Sequence, residues 1–263
     1  MTDTLCRGYA PSRFGQLHYV ECGTGEPVLM LHQTPRSWTE YLDVLPRVGA
    51  VHRAIAMDTL GFGASAKPDE PHSIERWADA VDDLVEELGL ERFHLVGHHT
   101  GGVIAVEVAA RHGKRVGSLF LSGTPFIDDE KRRTVNSRKP VDHVVPSPDG
   151  SHLLELWNLR RPFYKDGEEA ALNRFMVDAL TVLDRVEEGH VAVRGSLMDQ
   201  RLPHVTARTL AVCASEDHFS MPGLERFADA GCETLVIPGG HVPVPEQLPE
   251  EFARHILDWV AAG

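Results

Sequence analysis

Short apolar runs bounded by Gly, Pro, Asp or His recur along the chain at 28–32, 54–58, 93–97, 118–122, 209–214 and 233–238, and each reads as a buried strand. Between two of them Ser73 precedes Ile74, Trp77, Ala78, Val81, Leu84, Val85 and Leu88, a spacing that puts one apolar stripe on a helix ending at Gly89. The C-terminal end repeats the pattern. Pro249 opens a helix whose Phe252, Ile256 and Val260 share a face. Strand alternating with helix predicts a mostly parallel sheet of about eight strands, covered on both sides.

One segment breaks the alternation. From 125 to 208 no buried strand stands out, and 152–159 and 168–183 carry helical patterns. The segment holds 13 Lys plus Arg against 14 Asp plus Glu, so the other 179 residues hold 13 against 25. A nearly neutral helical insertion in a strongly acidic core predicts a cap at 125–208, with 1–124 and 209–263 forming the core domain. Its Lys131, Arg132, Arg133, Arg138, Arg160 and Arg161 offer an attraction for an anionic substrate or an ordinary solvated face. Trp157, Phe163, Tyr164, Phe175 and Met176 are candidates for a pocket lining, though residues at such spacing are more often ordinary core.

The 263 residues carry a formal charge of −13. That excludes nucleic acid and anionic membrane as main partners, because both need a basic face. Cys6, Cys22, Cys213 and Cys232 lack metal-ligand spacing and read as reduced structural residues. No leader-like or membrane-spanning run is visible, so a cytoplasmic location is expected. A small-molecule substrate is the natural partner, and a homodimer stays open.

The chemistry centres on residues 93–105, where an apolar strand, a glycine-lined turn and a small-residue helix follow one another. This is the context of a GxSxG nucleophile elbow, with His99 where the serine belongs. Gly97, Gly101 and Gly102 keep the turn tight. Histidine is among the non-glycine residues that tolerate positive φ. A hydroxyl has become an imidazole, able to act as nucleophile, general base or metal ligand.

Four more landmarks flank the elbow in order: Leu31-His32-Gln33-Thr34-Pro35, the DxxGxGxS stretch at 58–65, the strand 209–214 leading to Glu216 and Asp217, and Gly239-Gly240-His241. Together they resemble the α/β-hydrolase superfamily, in particular its small cap-bearing esterases, carbon–carbon bond hydrolases and dehalogenases. The resemblance implies an α/β-hydrolase fold: a mostly parallel eight-stranded sheet flanked by helices, with an inserted helical cap. It implies a catalytic set of His99, Asp217 and His241, with the Asp217 carboxylate orienting the His241 ring. Glu216 and His218 compete for the acid position, since a one-residue loop shift exchanges them. The oxyanion site falls to the amides of Thr100 and Thr34. Gln33 replaces the usual glycine, and its side chain faces either the pocket or solvent; His32 reads as structural.

These residues support a cofactor-free hydrolase of a small ester, lactone or carbon–carbon bond, with His99 as nucleophile or general base and no metal. A lyase, isomerase or cyclase using two histidines for proton transfer is the alternative. A metal site built on His99, His241 and a carboxylate, and a catalytically silent binding protein, complete the set.

Overall fold

The computed structural model describes residues 4–133 and 141–263; Arg138 of the basic set lies outside them. Eight strands form one sheet: β1 (Cys6–Ser12), β2 (Gly15–Cys22), β3 (Pro27–Leu31), β4 (Arg53–Met57), β5 (Phe93–His98), β6 (Val116–Ser122), β7 (Arg208–Ala214) and β8 (Glu233–Ile237). Their order across the sheet is β1-β2-β4-β3-β5-β6-β7-β8. The β1–β2 and β2–β4 pairs are antiparallel, and every other neighbour pair is parallel.

Six of these strands coincide with the apolar runs. The antiparallel pair β1–β2 has no such run, because β1 lies at the sheet edge with only Ala10 fully buried. The reversal from antiparallel to parallel leaves the carboxyl ends of β3, β5, β6, β7 and β8 at one edge, where open α/β sheets place their sites.

The helices of the chain are α1 (Leu45–Gly49), α2 (Ile74–Glu87), α3 (Thr100–His112), α4 (Asp129–Arg133), α5 (Ser151–Arg160), α6 (Glu169–Leu180), α7 (Val186–Arg194), α8 (Met198–Arg201), α9 (Met221–Asp229), α10 (Val244–Gln247) and α11 (Pro249–Ala261). Ser73 caps α2 by accepting from the Arg76 amide. One core layer packs α2 and α3 on the sheet through Trp77, Leu84, Ile104 and Val108; the other packs α1 and α11 through Leu45, Phe252 and Ile256. Both are closed: Trp77, Leu84, Ile104 and Ile256 have no exposed surface.

Between β6 and β7 the described residues hold helices and no strand, so the insertion is a helical cap. Arg208, at its expected end, already begins β7. Tyr164, Leu172, Phe175 and Met176 form a core of the cap's own, with Trp157 and Phe163 packed against it. Among the described residues no helix is long and apolar enough to cross a membrane.

Candidate active site

The elbow forms as its glycines require. A Cβ at Gly97 would run into the Gly101 carbonyl, one at Gly101 into the Leu31 carbonyl, and one at Gly102 into the Thr124 hydroxyl. The chain therefore turns directly from β5 into α3. His99 sits at the apex with φ 45°, the one non-glycine residue at positive φ among the described residues. Its amide donates to the Ser122 carbonyl at 2.9 Å, which pins the strained apex to β6.

The His99 ring turns toward the end of β7. Its Nε2 lies 3.1 Å from Asp217 Oδ2, with the His99 side chain 15% and the Asp217 side chain 2% exposed. The contact is an ion pair by distance; the ring N–H points off the carboxylate oxygen, so it is not an aligned hydrogen bond. Nδ1 has no hydrogen-bond partner among the described residues, and His99 lines the cavity beneath the cap. Asp217 is fixed from its own loop, where the amides of Phe219 and Ser220 donate to Oδ1 at 3.1 and 3.2 Å. Burial pushes the Asp217 carboxyl up, but the facing His99 imidazole, together with His98 and Ser220, outweighs it and holds the group down at about 2. Asp217 is thus a carboxylate at any ordinary pH. Gly123, at φ 53°, leaves the room this pair needs: a Cβ there would stand 2.7 Å from His99 Nε2 and 3.0 Å from Asp217 Oδ2.

The expected contact between Asp217 and His241 is not made. His241 Nε2 lies 2.9 Å from Glu216 Oε2, and His241 does not line the cavity. Two hydrogen-bonded constraints account for this. The His241 amide donates to Gln247 Oε1 at 2.8 Å, and Gln247 in turn donates to Glu168 of the cap at 2.7 Å. His98, the other elbow histidine, is structural. Its Nε2–H donates to the Val242 carbonyl at 2.8 Å and its Nδ1 accepts from the Ser122 hydroxyl at 3.0 Å. Burial drives its pKa well below the ordinary histidine value, so it stays neutral.

The loop after β3 supplies the facing wall. Thr34 and Thr100 meet hydroxyl to hydroxyl at 2.9 Å, and the Thr34 amide donates to Thr100 Oγ1 at a long 3.3 Å. Gln33 faces the cavity, and its side-chain amide donates to Glu40 Oε1 at 2.6 Å while its backbone amide donates to Oε2 at 2.9 Å. Glu40 is itself buried beside Arg36, whose guanidinium is fully enclosed between Glu246, Asp178 of the cap and Glu40. His32 is structural as expected: Nε2 accepts from the Thr59 amide at 2.9 Å, which leaves Nδ1–H for the Gln33 carbonyl at 2.7 Å.

The cavity has a volume of about 180 Å³. Of the basic set, Lys131 and Arg160 reach it; Arg132 turns to Asp199 and Arg161 to Asp166. Of the apolar candidates none reaches it, since all five belong to the cap core; Phe219, Ile127 and Val193 line it instead. Sequence reasoning missed His190 and Arg194. Their four-residue spacing, which sets both on one face of α7, was the available signal. Among the described residues no group of three or more His, Cys, Asp or Glu side chains is arranged to hold a metal ion.

Residues 26–140 match the family model described as the alpha/beta hydrolase fold. Haloalkane dehalogenase 2 of Mycobacterium tuberculosis is 32% identical over 151 residues, covering 57% of this chain and 50% of that protein. The soluble epoxide hydrolase of a Corynebacterium species is 35% identical over 106 residues, 40% of this chain and 37% of that one. The chain thus spans half or less of the length of these relatives. Among solved structures, a bacterial membrane phospholipase A superimposes with a TM-score of 0.81 at 19% identity, covering 99% of this chain and 87% of that one. The chain has the α/β-hydrolase superfamily fold, with a helical cap inserted after β6 and a histidine at the elbow in place of serine. At the elbow His99 is paired with Asp217.

Proposed function

We propose that the chain is a cofactor-free hydrolase of a small ester, lactone or ketone, in which His99 is a general base acting on water. The observation that carries this reading is the 3.1 Å approach of Asp217 to His99 Nε2. In a Ser-His-Asp triad the carboxylate holds the imidazole that moves protons, never the nucleophile. Here the acid holds the elbow residue itself, so the elbow takes over the work of the base, and a water takes over that of the nucleophile.

The protonation states follow. Asp217, anionic, favours the tautomer with hydrogen on Nε2 and leaves the Nδ1 lone pair toward the cavity. Nδ1 takes a proton from water while the water oxygen adds to the substrate carbonyl carbon, and Asp217 stabilises the imidazolium. The oxyanion is stabilised by the Thr100 amide, which opens α3 without an intrahelical acceptor, and by the Thr34 amide once substrate oxygen replaces its long contact to Thr100 Oγ1. Collapse of the tetrahedral adduct expels the leaving group, which takes the proton back from Nδ1. Gln33, held by Glu40, orients the substrate from the opposite wall. The relatives named above are a dehalogenase and an epoxide hydrolase; this support concerns bond-breaking with water rather than a particular bond.

His241 has no direct part in this scheme, and the assignments of 125–208 as cap and of the cytoplasm as the site of action accompany it. Turnover in oxygen-18 water tests the reading: one labelled oxygen is expected in the acid product, with none retained on the enzyme. A product without solvent oxygen would replace hydrolysis by a lyase or isomerase reaction driven by the same base. Failure to turn over any small ester, lactone or ketone would leave a binding protein.

A further inference from the structure

The cap wall of the cavity is basic. Lys131, Arg160 and Arg194 line it beside His190, and among the described residues no acidic side chain does. This is unexpected in a chain of net charge −13. The carboxylates that accompany these groups are not part of the lining: Asp142 is fully buried under Arg160, which it holds through a forked pair, and Glu187, itself on α7, lies beside His190 and Arg194. Arg160 thereby spends its Nε and Nη2 on Asp142 and is stacked 4.6 Å over the Phe175 ring.

Arg194 is not saturated. Its side chain is 15% exposed, and among the described residues its one ionic contact is Nη2 to Glu187 Oε1 at 3.1 Å. That contact is not an aligned hydrogen bond, since Glu187 Oε1 is left without a hydrogen-bond partner. None of its nitrogens is both buried and without a partner, so its remaining N–H groups stay accessible to a ligand in the cavity it lines. The fork matches a planar carboxylate in two parallel hydrogen bonds. His190, one turn earlier on α7, stands beside it on the same wall.

We propose that this wall is a carboxylate subsite: the substrate is a small anion whose carboxylate is gripped by Arg194, with its reacting carbonyl toward His99. The identity of the substrate as one that is hydrolysed rests on the function proposed above, but the subsite itself is a matter of binding and is measured without turnover.

The test is calorimetric titration of the full chain with straight-chain C4 to C8 carboxylates and, in parallel, their primary amides, none of which the proposed chemistry consumes readily. At least one carboxylate is expected to bind at least tenfold more tightly than its amide. Arg194→Gln is expected to remove that preference, Arg194→Lys to retain part of it, and His99→Ala to leave it within threefold. The lysine variant keeps the charge without the fork, so it also covers the case in which the glutamine variant does not fold. Amides binding as tightly as carboxylates, or a preference lost in His99→Ala and kept in Arg194→Gln, would overturn the subsite. A preserved carboxylate preference with no hydrolysis of any ester would instead sink the hydrolytic reading and leave the subsite standing.

Discussion

Two histidine–carboxylate pairs stand at adjacent positions of one loop and share no property beyond their composition. Asp217 and His99 form a pair that is almost enclosed, whereas Glu216 is 40% and His241 22% exposed by side chain. A charge pair in water is screened and contributes little. In a closed site the same pair is little screened, and the carboxylate's charge biases the tautomer of the ring it faces. The sequence neighbours 216 and 217 therefore divide into a pair that faces the cavity and a pair that holds the β8 loop at the surface. Chemistry is set by which carboxylate the loop turns inward. Here the Phe219 and Ser220 amides, both donating to Asp217, make that choice.

The largest expected effect lies in the enclosed pair. His99→Ala should lower turnover by about a hundredfold or more, the scale of a lost general base, and should lower the unfolding midpoint as well, because the buried Asp217 carboxylate loses the imidazole that favours its ionised form. Steady-state kinetics with the labelled-water assay reads it. Wild-type turnover in the alanine variant would remove the elbow from the mechanism. Asp217→Asn comes next, since an amide can hold the ring in either tautomer: about a hundredfold loss in kcat with KM little altered, because the carboxylate does not reach the cavity lining.

The same carboxylate makes a prediction about acid stability. With a folded value of about 2 against an ordinary 3.8, the ionised form is favoured by folding. Its contribution, about 2 kcal/mol, is fully present above pH 3.8 and is lost as pH falls through about 2. Denaturant midpoints between pH 5 and 2 should fall in the parent and fall less in Asp217→Asn. Equal slopes would mean that Asp217 is not held as an ion. Gly123→Ala tests the geometry alone. Its methyl group would enter the space of His99 Nε2 at a φ that costs about 1 kcal/mol, so kcat should drop about tenfold while carboxylate binding at Arg194 persists.

Much of the fold was legible because buried parallel strands are uninterrupted apolar runs, and the elbow was legible because three glycines are demanded by close contact, two with backbone and Gly102 with the Thr124 side chain. The hairpin β1–β2 was not, since its first strand exposes nearly every side chain and so carries no hydrophobic signal. At the site, His99 and Asp217 could be located by order and spacing, but their partnership could not. It depends on which way a two-residue carboxylate step faces, and that is decided by amides whose direction no spacing encodes. His241 was located by the same logic and assigned the wrong contact, because the tether through Gln247 to Glu168 joins residues 79 apart in sequence. The apolar cap residues could be weighted toward core but not assigned, for a related reason: periodicity marks a buried face without saying whether it faces a cavity or the cap's own core.

The smallest expected effect is also the one that most sharpens the contrast between the pairs. His241→Ala and Glu216→Gln should each change kcat by less than about threefold, since an exposed ion pair of this kind contributes on the order of 0–1 kcal/mol and does not reach the cavity. The double variant should be no worse than the singles combined. A hundredfold loss in His241→Ala would show that the β8 loop rotates on substrate binding, breaking the Gln247 tether and delivering a second imidazole to the cavity. Gln247→Ala separates the two cases. If His241 only holds the loop, freeing the tether leaves turnover where it was; if His241 must swing inward, freeing it raises turnover in the parent and has no effect in His241→Ala.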